Sequence, residues 1–235
     1  MKLLCRSLLV ICMVAVVLSP LTAQAQRRPN QNPNQQRQNL PTVTVEGKFK
    51  GMRGNQMLVQ AGPASYLVML SPSTKVAVSG AAKADFLGTG MFVTFTAKAD
   101  KQGRVPQPVK SLKMLTPNDV IQAGSQEEGA AEGDLTPYYF AGYIRTKKGD
   151  NITLQYGRSP KEVVTFTAAD DAEISVELVG DVRNTRLLRT DDEVKITGKQ
   201  AQAPSERGPG YIAAEEIAAT LAKPLTNEKP SKDND

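Results

Sequence analysis

GKFKGMRGNQMLVQAG at residues 47–62 returns, 95 residues on, as GYIRTKKGDNITLQYG at 142–157. Gly47, Gly54, Gln60 and Gly62 match Gly142, Gly149, Gln155 and Gly157. The apolar period inside both phrases is two. Lys48 and Lys50 flank Phe49, and Tyr143 and Arg145 flank Ile144. Met57 and Val59 alternate with Leu58 and Gln60; Ile152 and Leu154 alternate with Thr153 and Gln155. A period of two over short runs bounded by glycine marks half-buried strands, and Gly-Asn or Gly-Asp between two such runs marks a hairpin.

The correspondence extends beyond the phrases. Val68 and Leu70 match Val164 and Phe166; Val76 and Val78 match Ile174 and Val176. Leu87, Val93, Phe95 and Lys98 match Leu188, Val194, Ile196 and Lys199. The offset drifts from 95 to 101, so insertions fall between apolar blocks, where loops belong. The pattern predicts strands near 45–50, 56–61, 65–71, 75–79, 90–98 and 108–115, and again near 139–146, 151–156, 161–167, 173–178, 192–200 and 210–221. The last of these, YIAAEEIAATL at 211–221, is rich in helix formers. Its counterpart at Val109–Leu112 favours a strand, which needs a bulge near Glu215 and Glu216. Short helical turns are expected at 182–189 and 81–87. A small sheet with one polar face leaves open edges unless it curls shut. The expectation is therefore an all-β chain with two tandem five- to six-stranded barrels, at 42–117 and 138–223.

Gly142, Gly149-Asp150, Val164, Ile174, Leu188, Asp192, Val194, Gly198, Lys199, Ala214 and Ile217 form a recurring series of turn glycines and core positions. Gly47, Gly54-Asn55, Thr74, Leu87, Gly90, Val93 and Lys98 stand in their places in the first stretch, with Ala97 where the second has Gly198. This series resembles the small OB-like β-barrel domains of unknown function found in exported bacterial proteins. The resemblance implies a fold and brings no catalytic residues.

The flanks are of another kind. Residues 1–25 begin with Lys2 and Arg6, continue through an apolar run from Leu8 to Leu18, and end in Ala23-Gln24-Ala25. That is the layout of a secretory signal peptide, and the run is too short to span a bilayer. Export to the periplasm or the cell exterior is expected, without stable membrane insertion after cleavage. Residues 26–41, rich in Gln, Asn, Pro and Arg, read as a disordered arm; 118–137 as an acidic linker; 224–235 as a disordered tail.

Cys5 and Cys12 both lie in the leader, and the chain has no histidine. The exported part thus lacks thiols, and with them disulfides and cysteine metal sites, as well as the side chain most used for acid–base work near neutral pH. The reading is non-enzymatic, with no cofactor and no metal; a hydrolase is a distant alternative. Asp170-Asp171 and Asp191-Asp192-Glu193 raise calcium, but the ligand spacing of a calcium loop is missing, and they read as turn residues. Asn151-Ile152-Thr153 matches a glycosylation acceptor inside a predicted hairpin strand.

Charge is uneven along the chain. Residues 42–117 carry ten Lys and Arg against three Asp and Glu; 118–137 carry none against five; 138–223 carry twelve against thirteen. A basic first barrel suggests an anionic polymer, an acidic glycan or single-stranded nucleic acid, held by Lys48, Lys50, Arg53, Lys98, Lys110 and Lys113. Lys75, Lys101 and Arg104 extend that set, and Tyr66 and Phe92 are the aromatics left to stack on bases. Tyr139 and Tyr143, in the cluster that opens the second stretch, suggest a contact surface. The sequence leads to an exported binding or structural protein of unknown partner. An envelope protein and an anionic polymer are the two partners considered.

Overall fold

In the computed structural model, which describes residues 40–206 and 208–227, the alternation becomes strands. β1 (Thr42–Arg53) and β2 (Gln56–Ala61) form the hairpin of the first phrase; β8 (Thr136–Lys148) and β9 (Asn151–Gln155) form that of the second. Gly54 and Gly149 turn them at φ of 61° and 58°, a left-handed backbone that glycine adopts without a Cβ penalty. Both first strands bulge, between Phe49 and Gly51 and between Ile144 and Thr146. Such a bulge bends a strand and lets it serve two neighbours in succession. β1 accordingly gives residues 42–48 to β11 (Glu193–Gln202) and 48–53 to β2.

The pairings close two five-strand circuits. In the first, β1, β2, β3 (Ala64–Met69), β12 (Gly210–Thr220) and β11 lead back to β1, with a single parallel contact, between β3 and β12. In the second, β8, β9, β10 (Val163–Gly180), β6 (Val109–Leu115) and β5 (Phe92–Ala99) lead back to β8, again with one parallel contact, between β10 and β6. β4 (Lys75–Ala82) joins the circuits, pairing in parallel with β12 and antiparallel with the far half of β10. Two 3-10 turns, Ala84–Phe86 and Val182–Leu187, follow β4 and β10 at the expected places. β7 (Gly124–Glu127) adds to the outer edge of β8.

The fold is all-β, but its strands are shared out differently from the sequence reading. That reading gives 42–117 one barrel and 138–223 the other. Each barrel instead takes three strands from one stretch and two from the other, so Thr44 lies opposite Thr197 and Phe95 opposite Phe140. The physical reason is that alternation fixes which face of a strand is buried and leaves its partner open. Val93 and Phe95 are buried in the same alternating way as Val194 and Ile196, so the pattern alone does not say which barrel each strand closes. Crossing over follows from local chemistry. Ser71-Pro72-Ser73 ends β3 and re-aims the chain into β4. Ala168–Ala172 has no glycine or proline, so β10 runs on from its own barrel to β4.

The two interiors merge into one cluster of buried side chains. Phe166 is fully buried in it, with its ring centroid 4.4 Å from that of Phe95. Residues 210–220 are strand. Thr197 faces Glu216 while Gly198 faces Ala214, so the pairing skips Glu215. The skip changes the inward parity, and Ile212, Ala214, Ile217 and Ala219 are all buried.

Two further expectations are corrected. The linker reading of 118–137 gives way in part to β7, and the tail begins with a buried anchor. Leu225 packs in the core, and its backbone exchanges hydrogen bonds with Lys83 and Ala81 at 2.8 and 2.9 Å. The expected signal peptide, nearly all of the arm and the end of the tail lie outside the described residues. Among the described residues no helix is long and apolar enough to cross a membrane.

Candidate functional site

The hairpin of the first phrase builds one wall of a groove of about 700 Å³ on the first barrel. Outward positions of β1 supply Glu46 and Lys48; those of β11 supply Glu193 and Lys195. The register sets each lysine opposite a glutamate, Lys48 against Glu193 and Lys195 against Glu46. Lys195 Nζ lies 2.8 Å from Glu46 Oε1, and this hydrogen bond with its charge holds the carboxyl below the ordinary glutamate value. Lys50 Nζ reaches Asp191 Oδ1 at 2.6 Å at the rim. The floor rests on Gln60. Its Nε2 donates to Gly62 O at 2.8 Å, and its Oε1 accepts from Ser65 Oγ at 2.7 Å, which fixes the chain leaving β2.

The second barrel carries the counterpart. Tyr143, Gln155 and Gly157 stand where Lys48, Gln60 and Gly62 stand, and Gln155 Nε2 donates to Gly157 O at 3.0 Å. Gly47 and Gly142 hold the same close approach, where a Cβ would overlap the carbonyl oxygen of Gln60 or Gln155. The turns that enter β11 and β5 match as well. Asp191 N donates to Phe49 O, and Gly90 N to Ile144 O, both at 2.8 Å, with φ of 76° and 87°.

The counterparts differ in what lines them. On the second barrel Gln122 and Ala123 line one side of the groove, which holds about 380 Å³, and β7 continues from them along β8. Among the described residues the groove of the first barrel has no counterpart of Gln122 and Ala123 in its lining.

The sequence-derived basic set is divided. Lys48, Lys50 and Arg53 are on the first barrel; Lys98, Lys110 and Lys113 are on the second. Lys98 Nζ bonds Glu132 at 2.5 Å, and Lys113 Nζ bonds Glu177 at 2.7 Å. Lys75 lies 3.9 Å from Glu216. Lys110 is exposed, opposite the irregular stretch of β10 that holds Asp170 and Asp171. Arg53 is exposed at the end of β1. Phe92, which the sequence leaves for base stacking, is buried at 3 % exposure. It packs with Leu115 and Ala141, and Tyr143 meets it edge-on at 5.0 Å. Tyr66 is half-buried against the core. Tyr139 is half-buried on the same small cluster, under the segment that runs from Ile121 into β7, while Tyr143 stays exposed at 46 %.

The acidic pairs have structural roles or lie on the surface. Asp192 is 2 % exposed and accepts from Arg189 N at 2.7 Å and Ala222 N at 2.8 Å. Asp191 answers Lys50, and Asp170 and Asp171 are exposed in the β10 irregularity. Among the described residues no group of three or more Asp, Glu, His or Cys could hold a metal ion. The residues that sequence reasoning missed are Gln60, Glu193, Lys195 and Thr220 of the groove. The repeated Gln60 and Gln155 were a visible signal; Glu193, Lys195 and Thr220 join only because the strands cross over. Compared with protein-family models, curated proteins and solved structures, the chain matches none of them.

Proposed function

We propose that the chain is an exported, non-enzymatic binding protein, built from two duplicated OB-like barrels, whose ligand site is the groove at Lys48, Gln60 and Lys195. One observation carries this reading. Gln122 and Ala123 line the smaller groove of the second barrel, about 380 Å³, and the described chain adds no such segment to the larger groove of the first, about 700 Å³. The same architecture thus contains one groove bordered by a further segment of the chain and one without it among the described residues. The leader-like residues 1–25 support export, and the absence of histidine supports a non-enzymatic role. An anionic polymer is less well served, because the six basic residues divide between barrels and three of them face carboxylates at 2.5 to 2.7 Å.

The test is a photo-cross-linking side chain at position 48 of the exported protein in its native envelope, with position 148 at the other hairpin as control. A partner adduct at 48 and none at 148 is expected. No adduct at 48, or equal adducts at both, would assign the fold a purely structural role. Salt-sensitive retention on heparin that falls with Lys110→Ser as much as with Lys48→Ser would favour the polymer instead.

A further inference from the structure

We propose that the outer edge of β1, at Thr44 and Glu46, accepts an extended acidic segment of a partner protein as an added antiparallel strand. The inference rests on the groove reading and names the kind of partner. Antiparallel pairing directs the backbone groups of alternate residues to opposite edges. Gln200 N donates to Pro41 O at 2.9 Å and Phe49 N to Asp192 O at 2.8 Å, so the odd positions of β1 serve β11. The N–H and C=O groups of Thr44 and Glu46 then point to the other edge. Over these residues β1 pairs with β11 alone among the described strands.

The second barrel shows how such an edge is filled. Tyr139 and Ala141, 95 residues beyond Thr44 and Glu46, are paired with Gln126 and Gly124 of β7. The segment there is Gly-Ser-Gln-Glu, which ends in a carboxylate, and further carboxylates follow it in the chain. Tyr138 Oη donates to Glu127 Oε1 at 3.1 Å, and Lys98, opposite Pro137, bonds Glu132. On the first barrel Lys199 occupies the place of Lys98, opposite Thr42. Its Nζ donates to Thr42 Oγ1 at 2.6 Å, and it has no carboxylate partner among the described residues. A lysine beside a strand edge that no described strand fills fits an incoming strand that carries a carboxylate. Residues 26–39 of the chain itself do not supply one, since they hold three arginines and no Asp or Glu. An acidic segment of another protein does. Where β7 leads back to Gln122 and Ala123 in the second groove, the bound segment would run on past Lys48 and Gln60.

The test uses a synthetic peptide of the chain's own residues 122–134, QAGSQEEGAAEGD, added in trans to the full chain. Binding is expected, with new hydrogen-exchange protection at the Thr44 and Glu46 amides. Thr44→Pro, which removes an edge donor, should weaken binding by about tenfold or more. Lys199→Glu, which leaves the backbone edge intact, should weaken it by about fivefold in low salt. No binding, protection only at Tyr139 and Ala141, or binding indifferent to both substitutions would overturn the proposal. So would Thr44 and Glu46 amides already protected in the free chain by contacts to residues 26–39. A position-48 adduct without peptide binding would remove this inference and leave the groove reading intact.

Discussion

Asp192 holds its turn with both carboxylate oxygens, one on Arg189 N and one on Ala222 N, and so ties the start of β11 to the end of β12. A buried carboxylate that accepts two backbone donors cannot be shortened without leaving them unpaired. Asp192→Ala should cost about 3 kcal/mol in urea denaturation, and Asp192→Asn clearly less. Its neighbour behaves differently. Lys50 beside Asp191 holds that carboxyl below the ordinary 3.8, with Lys48 and Lys223 adding to the effect. A lowered folded value stabilises the fold above the ordinary value and is lost as pH falls through the lowered one. Both partners are exposed, so the contribution is small and screened by salt. Lys50→Ala should return the Asp191 titration midpoint upward towards 3.8, read from its carboxyl NMR shift. At this scale the sequence is informative about inward positions. Phe49 and Phe95 are buried as alternation requires. Phe92 was not legible as core, because it sits on the opposite face of β5, which is covered by Leu115 and Ala141 rather than by the barrel interior.

The elements show where a local pattern suffices. Hairpin turns and both 3-10 turns follow from short-range chemistry, and the sequence announces them with Gly54-Asn55, Gly149-Asp150 and the matched apolar blocks. The close approach at Gly142 is one such requirement. Gly142→Ala should destabilise by about 2–3 kcal/mol, since a Cβ there meets the backbone carbonyl of Gln155, which cannot swing away. Lys147 is a longer-range device. Its Nζ donates to the carbonyls of Ala84, Asp85 and Leu87 at 2.9, 3.2 and 3.1 Å, clamping the first 3-10 turn to the second hairpin. Lys147→Met should speed hydrogen exchange at Phe86 and Leu87 and cost about 1–2 kcal/mol, with the rest of the exchange pattern unchanged. Nothing at sequence level announces this contact, which joins residues about 60 positions apart. β7 was hidden for a related reason: Gly-Ser-Gln-Glu has no apolar alternation and becomes strand only because β8 offers an edge.

Across the whole molecule the crossing of strands changes what the charge pattern means. The first stretch is basic as a sequence, yet the strands of the first barrel carry five basic and four acidic residues, and those of the second six and four. The basic domain suggested by linear counting is not a unit of the fold. The mixed groove at Glu46, Lys48, Glu193 and Lys195 takes its place. Strand existence and facing were legible from period-two patterning, and strand partnership was not, because the closing strands of the two matched stretches carry the same alternation. The central claim is therefore the exchange itself, and paired cysteines test it directly. Thr44 faces Thr197, with their hydroxyl oxygens 3.2 Å apart, while Thr96, the position matching Thr197 in the first stretch, faces Tyr139. With Cys5 and Cys12 replaced by serine, Thr44→Cys with Thr197→Cys should form an intramolecular disulfide in the oxidised monomer, and Thr44→Cys with Thr96→Cys should not. A disulfide between 44 and 96 and none between 44 and 197 would contradict the exchanged barrels.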